Sequence, residues 1–124
     1  MKYNTSGQAL VILLVYMVIA MITTSMAVAL VIINATSTSH VEQGDMALNT
    51  AESGAENALI RLIRTPNYTG ETLTVGGGSA TVTVSGSSDK TILSEGVIGG
   101  YERNVQVVVR FLGGVMTILS WQEL

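Results

Sequence analysis

One imidazole, His40, no cysteine, and the glutamate pair Glu52 and Glu56 are the side chains from which a reaction would have to be built. Nucleophilic catalysis needs a hydroxyl or thiol activated by a base, and a metal site needs several clustered ligands. His40 stands among Ser and Thr at the end of an apolar stretch, the setting of a solvated interfacial residue. Glu52 and Glu56 lie one helical turn apart, a spacing that suits a cation or carboxylate-pair site only if buried; on an exposed helix they merely repel weakly. Gly76-Gly77-Gly78-Ser79 has the small residues of a phosphate cradle, but no Lys follows it and no helix opens after it, so it reads as a hairpin turn. Lys90, Arg103 and Arg110 could form a small basic patch, yet the balance of six basic to nine acidic residues argues against nucleic acid as a partner, and they read as solvated strand residues. Of the N-x-S/T sequons at Asn4, Asn34 and Asn67, only Asn67 is placed for a glycan. No catalytic, cofactor-binding or metal-binding residue is assigned, and the chain reads as something other than an enzyme.

What remains is a question of where the charges are. Of the 124 residues 48% are apolar and 12% charged, about half the usual charged share. After Lys2 no ionisable side chain of the Asp, Glu, Lys or Arg type occurs until Glu42. Between Ala9 and Ile33, twenty-two of twenty-five residues are apolar, the exceptions being Thr23, Thr24 and Ser25. As a helix this stretch covers about 37 Å, enough to cross a hydrocarbon core of about 30 Å. The hydroxyl trio can bond back to carbonyls a turn earlier, giving either a bend or a face for helix contacts. Lys2 before the span, and Glu42, Asp45 and Glu52 after it, place the N-terminus in the cytoplasm and residues from about 41 outside. A cleavable signal peptide usually has an apolar region of about 7 to 15 residues. This one is longer, although Ala35-Thr36-Ser37 leaves a cleavage pattern open.

Asn34 to His40 has poor helix propensity but no Pro or Gly, so it could bend or melt, or continue a single rod of about 55 residues. Leu48, Ala51, Ala55, Ala58, Leu59 and Leu62 then recur at helical spacing from roughly Val41 to Arg64, with acids before bases and Thr65-Pro66 as the stop. Beyond Pro66 the vocabulary is that of strands and tight turns. Strands are expected at 72–75, 80–85, 91–97, 103–112 and 115–121, separated by Gly76-Gly77-Gly78, Gly99-Gly100 and Gly113-Gly114. Val105, Val107, Val109 and Phe111 alternate with Gln106, Val108 and Arg110, which makes one face apolar. The expected fold is α+β: a long N-terminal helix, half transmembrane and half amphipathic, packed on a C-terminal antiparallel β-meander. Contacts between helix and sheet are expected from Leu48, Ala55, Leu59, Leu62, Val107, Val109 and Phe111. A sheet of this size without disulfides depends on the helix for its core.

The start M-K-Y-N-T-S-G-Q-A-L-V-I-L-L-V, a short polar leader ending in Gly7 directly before the apolar helix, resembles the leader of type IV pilins and type II secretion pseudopilins. The run Ala51-Glu52-Ser53-Gly54-Ala55-Glu56 resembles the corresponding region of PilX-type minor pilins. The resemblance implies a leader at 1–7, cleaved between Gly7 and Gln8 by a prepilin peptidase, with N-methylation on Gln8. It also implies a transmembrane and assembly helix with hinge at 8–40, a head at 41–124 (helix 41–64, sheet 71–124), and the lollipop outline of the family. Leu10, Leu14, Met17, Met21, Val28 and Ile32 would then face lipid before assembly and other pilin subunits in the filament. Further implied partners are an inner-membrane assembly platform and the bilayer itself, and the implied location is a single-pass inner membrane, then an extracellular or cell-surface filament. Ile12 stands where the family usually has a glutamate that meets a neighbour's terminal amine, and Gln8 replaces the usual aromatic. The missing glutamate suits a minor or tip subunit better than a repeating one; Gln8 is the milder departure. The alternative function is a single-pass, membrane-anchored surface binding protein with a small β head; a cleaved, secreted β domain is a third reading.

Overall fold

A computed structural model describes Thr5 to Leu124, and the leader residues Met1 to Asn4, with the sequon at Asn4, lie outside the described part. One helix, α1 (Thr5–Arg64), is followed by five strands, β1 (Gly70–Val75), β2 (Gly78–Ser85), β3 (Asp89–Ile98), β4 (Tyr101–Leu112) and β5 (Val115–Glu123). The chain divides between Ser39 and His40 into two compact units.

The described part of the first unit is helix alone, with every residue exposed. Its hydroxyls are satisfied locally: Thr24 donates to the Ala20 carbonyl at 2.8 Å and Ser25 to that of Met21 at 2.8 Å. The backbone and the three hydroxyls in the middle of the segment are therefore paired within the helix, which suits a helix in lipid. The Asn34–His40 stretch stays helical, with Thr36 donating to Ile32 at 2.7 Å and Thr38 to Asn34 at 2.9 Å. These i−4 bonds replace the competing turn conformations that make Ser and Thr poor helix formers.

The second unit is α+β, the end of α1 lying on an antiparallel meander of order β1-β2-β3-β4-β5. All five expected strands are present, each somewhat longer than its sequence pattern. Gly76-Gly77, Gly99-Gly100 and Gly113-Gly114 form three two-residue hairpins in which both glycines have positive φ, from 55° to 85°. That is the turn geometry whose twist matches paired strands, and side chains rarely adopt it. The helix stops where Thr65 donates to the Arg61 carbonyl and Pro66 opens a turn closed by Tyr68 N–H to Thr65 O at 3.0 Å.

The core lies between Ala51, Ala55, Ala58 and Leu62 on the helix and Val82, Ile92, Val105, Val107 and Val109 on the sheet. Of the expected contact residues, Ala55, Leu62, Val107 and Val109 are fully buried, while Leu48, Leu59 and Phe111 are partly buried and packed at the core's margin. The buried line of the helix is Gly44, Ala47, Thr50, Ala51, Gly54, Ala55, Ala58 and Leu62: it keeps the three alanines and Leu62 of the expected stripe and adds small residues in place of Leu48 and Leu59. The reason is a close approach of backbones. A Cβ on Gly96 of β3 would meet the backbone of Ala47 and lie 2.9 Å from the Ala51 Cα. A Cβ on Gly54 would meet Ser94 Oγ and lie 2.8 Å from the Ala80 Cβ.

Gly96→Ala is expected to destabilise the head by about 1–3 kcal/mol, as overpacking against rigid backbone does, read from a chemical melt of the full chain in detergent. Ser94 Oγ is buried without a hydrogen-bond partner. Ser94→Ala should therefore be neutral or stabilising in the same melt, because no bond is lost and a desolvated hydroxyl is removed. Leu62→Asp, at a fully buried position on the helix, should unfold the head, and an isolated 66–124 fragment that melts cooperatively would refute the dependence of sheet on helix.

Candidate functional site

Two surfaces are candidates: the apolar helix of the first unit and the polar contacts around the head. On the helix, Leu10, Leu14, Met17, Met21, Val28 and Ile32 are each between 57% and 69% exposed. Their neighbours are exposed as well, so the apolar surface runs round the whole circumference instead of forming one stripe. A helix that is apolar all round is stable only where every side meets lipid or other apolar helices. Among the described residues one helix is thus long and apolar enough to cross a membrane, compatible with a single-pass anchor. Gly7 and Gln8 sit in its first turns, exposed, and apart from the adjoining backbone of its own helix no described atom lies within 4 Å of where a Gly7 side chain would begin. Packing among the described residues gives no reason for glycine at that position.

In the head, Glu71 of β1 is a node. Its Oε1 accepts from Asn57 Nδ2 at 3.2 Å and Tyr68 OH at 3.0 Å, and pairs with Arg61 Nε at 3.1 Å. Helix, connecting turn and first strand are thereby tied at one carboxylate, which holds β1 against the end of α1. Burial, then the bond to Glu71, push the Tyr68 phenol up to about 12.

Arg103 and Arg110 do not form a basic patch. Arg103 Nη1 binds Glu123 Oε1 at 3.0 Å, and Arg110 holds Asp89 with two bonds of 2.7 Å. The guanidinium lowers the Asp89 carboxyl below its usual range. Asp89, Arg110 and Lys90, with Pro66, Asn67 and Phe111, line an open groove of about 670 Å³ at one end of the sheet. Asn67 is exposed in the turn after α1, whereas Asn34 is inside the helix.

His40 is exposed as expected, but it is not solvated alone: its Nδ1 is hydrogen-bonded to the Tyr101 hydroxyl, the two rings being 5.9 Å apart. Glu52 is half-buried and Glu56 exposed, and among the described residues no three His, Asp or Glu side chains gather where they could hold a metal ion. Gly76-Gly77-Gly78 belongs to the β1–β2 hairpin and opens no helix. Comparison with family models, with curated proteins and with solved structures finds no match.

The Glu71 node and the His40–Tyr101 contact escape sequence reasoning because each joins residues from separate elements. The close approach at Gly54 had a signal in the run of Gly and Ala at helical spacing from 44 to 58.

The raised Tyr68 pKa has a definite sign. The fold holds the phenol proton more tightly than the unfolded chain, whose value is near 10, so this contribution is complete below pH 10 and lost as pH climbs to about 12. Head stability should fall across that window, and Tyr68→Phe should flatten the fall; equal slopes in the two proteins would show that the Glu71 node does not hold the phenol.

Proposed function

We propose that this chain is a structural subunit, a minor pilin or pseudopilin, of a type IV pilus-like filament or type II secretion pseudopilus. The observation that carries the reading is the first-unit helix, apolar and exposed on every side, directly behind Gly7. Before assembly this helix is held in the inner membrane with its N-terminus cytoplasmic; in the filament it exchanges lipid for other subunits' helices. Apolar burial of this kind is non-directional and scales with area, so it supplies cohesion without a specific polar site. Thr23, Thr24 and Ser25 turn their hydroxyls to carbonyls of their own helix, which leaves that part of the surface small and free for close helix packing.

Glycine at position 7, directly before the apolar run, fits recognition by a prepilin peptidase. Cleavage there would remove Lys2 and leave Gln8 as a methylated terminus on an uninterrupted apolar helix. Ile12 brings no carboxylate to that terminus, which fits a subunit at a tip or in small number.

Intact-mass and N-terminal analysis of the mature protein should find Gln8 first, carrying one methyl group, and Gly7→Leu should leave the chain uncut. A mature chain that begins at Met1 or near Thr38 would overturn the processing. Shearing cells should release the protein with filaments; complete retention in the membrane fraction would favour a single-pass anchor for a surface binding head.

A further inference from the structure

Attachment of a sugar to an N-x-S/T sequon requires that the asparagine amide and the hydroxyl two residues on be reached together from solvent. The fold treats the sequons of this chain differently. In Asn34-Ala35-Thr36 all three residues are helical, and the Thr36 hydroxyl is spent on the Ile32 carbonyl at 2.7 Å. Asn67-Tyr68-Thr69 lies instead in the connection between α1 and β1, just after Pro66 has ended the helix.

The middle residue of that second sequon is its anchor. Tyr68 is half-buried and packs against the core. Its backbone N–H donates to the Thr65 carbonyl at 3.0 Å and its hydroxyl to Glu71 Oε1 at 3.0 Å. The Thr69 carbonyl accepts from the Val84 N–H at 2.8 Å, which fixes the path of the chain without using the Thr69 hydroxyl. Asn67 and Thr69 are both exposed, and neither side chain is hydrogen-bonded to another described residue. With Tyr68 tied inward, the two groups that a glycosyltransferase must reach are presented on either side of it.

The surroundings also have room for an added group. Asn67 lines the open groove of about 670 Å³ together with Ser87, Ser88 and Lys90. Their hydroxyls and ammonium can bond to sugar oxygens. A substituent on the Asn67 amide breaks no hydrogen bond of the head and remains at the surface, where such groups belong.

We infer that Asn67 is a modification site and carries an N-linked oligosaccharide in the mature protein. The donor is an oligosaccharide on a lipid diphosphate, and the agent is a membrane-bound glycosyltransferase. Asn67 Nδ2 bonds to the anomeric carbon of the first sugar while the bond from that carbon to the diphosphate oxygen breaks. The lipid diphosphate leaves with the bonding pair, and one Nδ2 proton passes to solvent. Tyr68 and Glu71 position the segment and take no part in that chemistry. The inference rests on the reading that places the head outside the cytoplasm, and it does not require the filament.

In protein taken from its own cells, the tryptic peptide of residues 65–90 should carry the added mass of an oligosaccharide. Asn67→Gln and Thr69→Ala should each remove all of that mass, Thr69→Ser should keep it, and Asn34→Gln should leave it unchanged. The head's melt should be the same in all four variants, so that a loss of sugar is not a loss of fold. An unmodified 65–90 peptide would overturn the inference. Sugar that persists in Asn67→Gln would overturn it too, because it would then sit on one of the peptide's hydroxyls. Since the chain has no cysteine, Ser88→Cys separates glycosylation from the orientation on which it rests. If a chain without sugar is labelled in spheroplasts by a membrane-impermeant maleimide, the orientation stands and glycosylation falls. If it is neither glycosylated nor labelled, both fall.

Discussion

The contact on which the head depends is that of helix backbone on sheet backbone at Gly96. With a side chain absent there and at Gly54, Ala47 and Ala51 come to rest on β3 directly, and the flanking residues that fit such a short separation are Ala, Ser and Thr. Small residues contribute little transfer free energy each, but close approach multiplies the contacts that each makes. The larger core residues, Leu62, Ile92, Val105, Val107 and Val109, are all fully buried.

This geometry has a consequence for what is left uncovered. One helix is about 10 Å across, and five strands at about 4.8 Å spacing make a sheet about 19 Å wide. A helix seated over β3 covers β2, β3 and β4, whose inward residues are buried, and cannot cover both margins. β1 is held by its ladder to β2 and the polar bonds through Glu71, and β5 by its ladder to β4, the Arg103–Glu123 pair and Met116. The exposure of Ile118 and Trp121 is thus a result of sheet width against helix diameter.

The fold was largely legible because its signals are local. Helical spacing from Leu48 to Leu62, the Thr65-Pro66 stop, the three glycine pairs and the alternation of Val105, Val107 and Val109 are each contained within a dozen or so residues. What escaped is non-local or a matter of distance. Leu48 and Leu59 looked like core and lie at its margin, because the position facing the sheet is decided by how near the backbones come, which no spacing reveals. Arg103 and Arg110 looked like solvated bases and are each paired with an acid about twenty residues away. Glu71 gave no hint of being a node, since its three partners come from α1 and the turn after it. For the apolar helix, the sequence was sufficient: a run without charge has few ways to be satisfied.

The two parts of α1 show the same principle used in opposite senses. In residues 9–33 the side chains are Leu, Ile, Val and Met in nearly every direction, and none is buried against the rest of the described unit. In residues 44–58 the facing side is Gly, Ala and Thr50, with Leu48 on a flank and Leu62 as the one large residue that closes the line. Large apolar groups suit a surface whose partner is fluid or repeated, because area alone sets the gain and no fixed register is required. Small ones suit a surface with one fixed partner, where the nearness of two backbones sets the register and a single methyl in the wrong place is felt. The change from one vocabulary to the other within one helix marks where the chain stops offering a general surface and starts making a specific one.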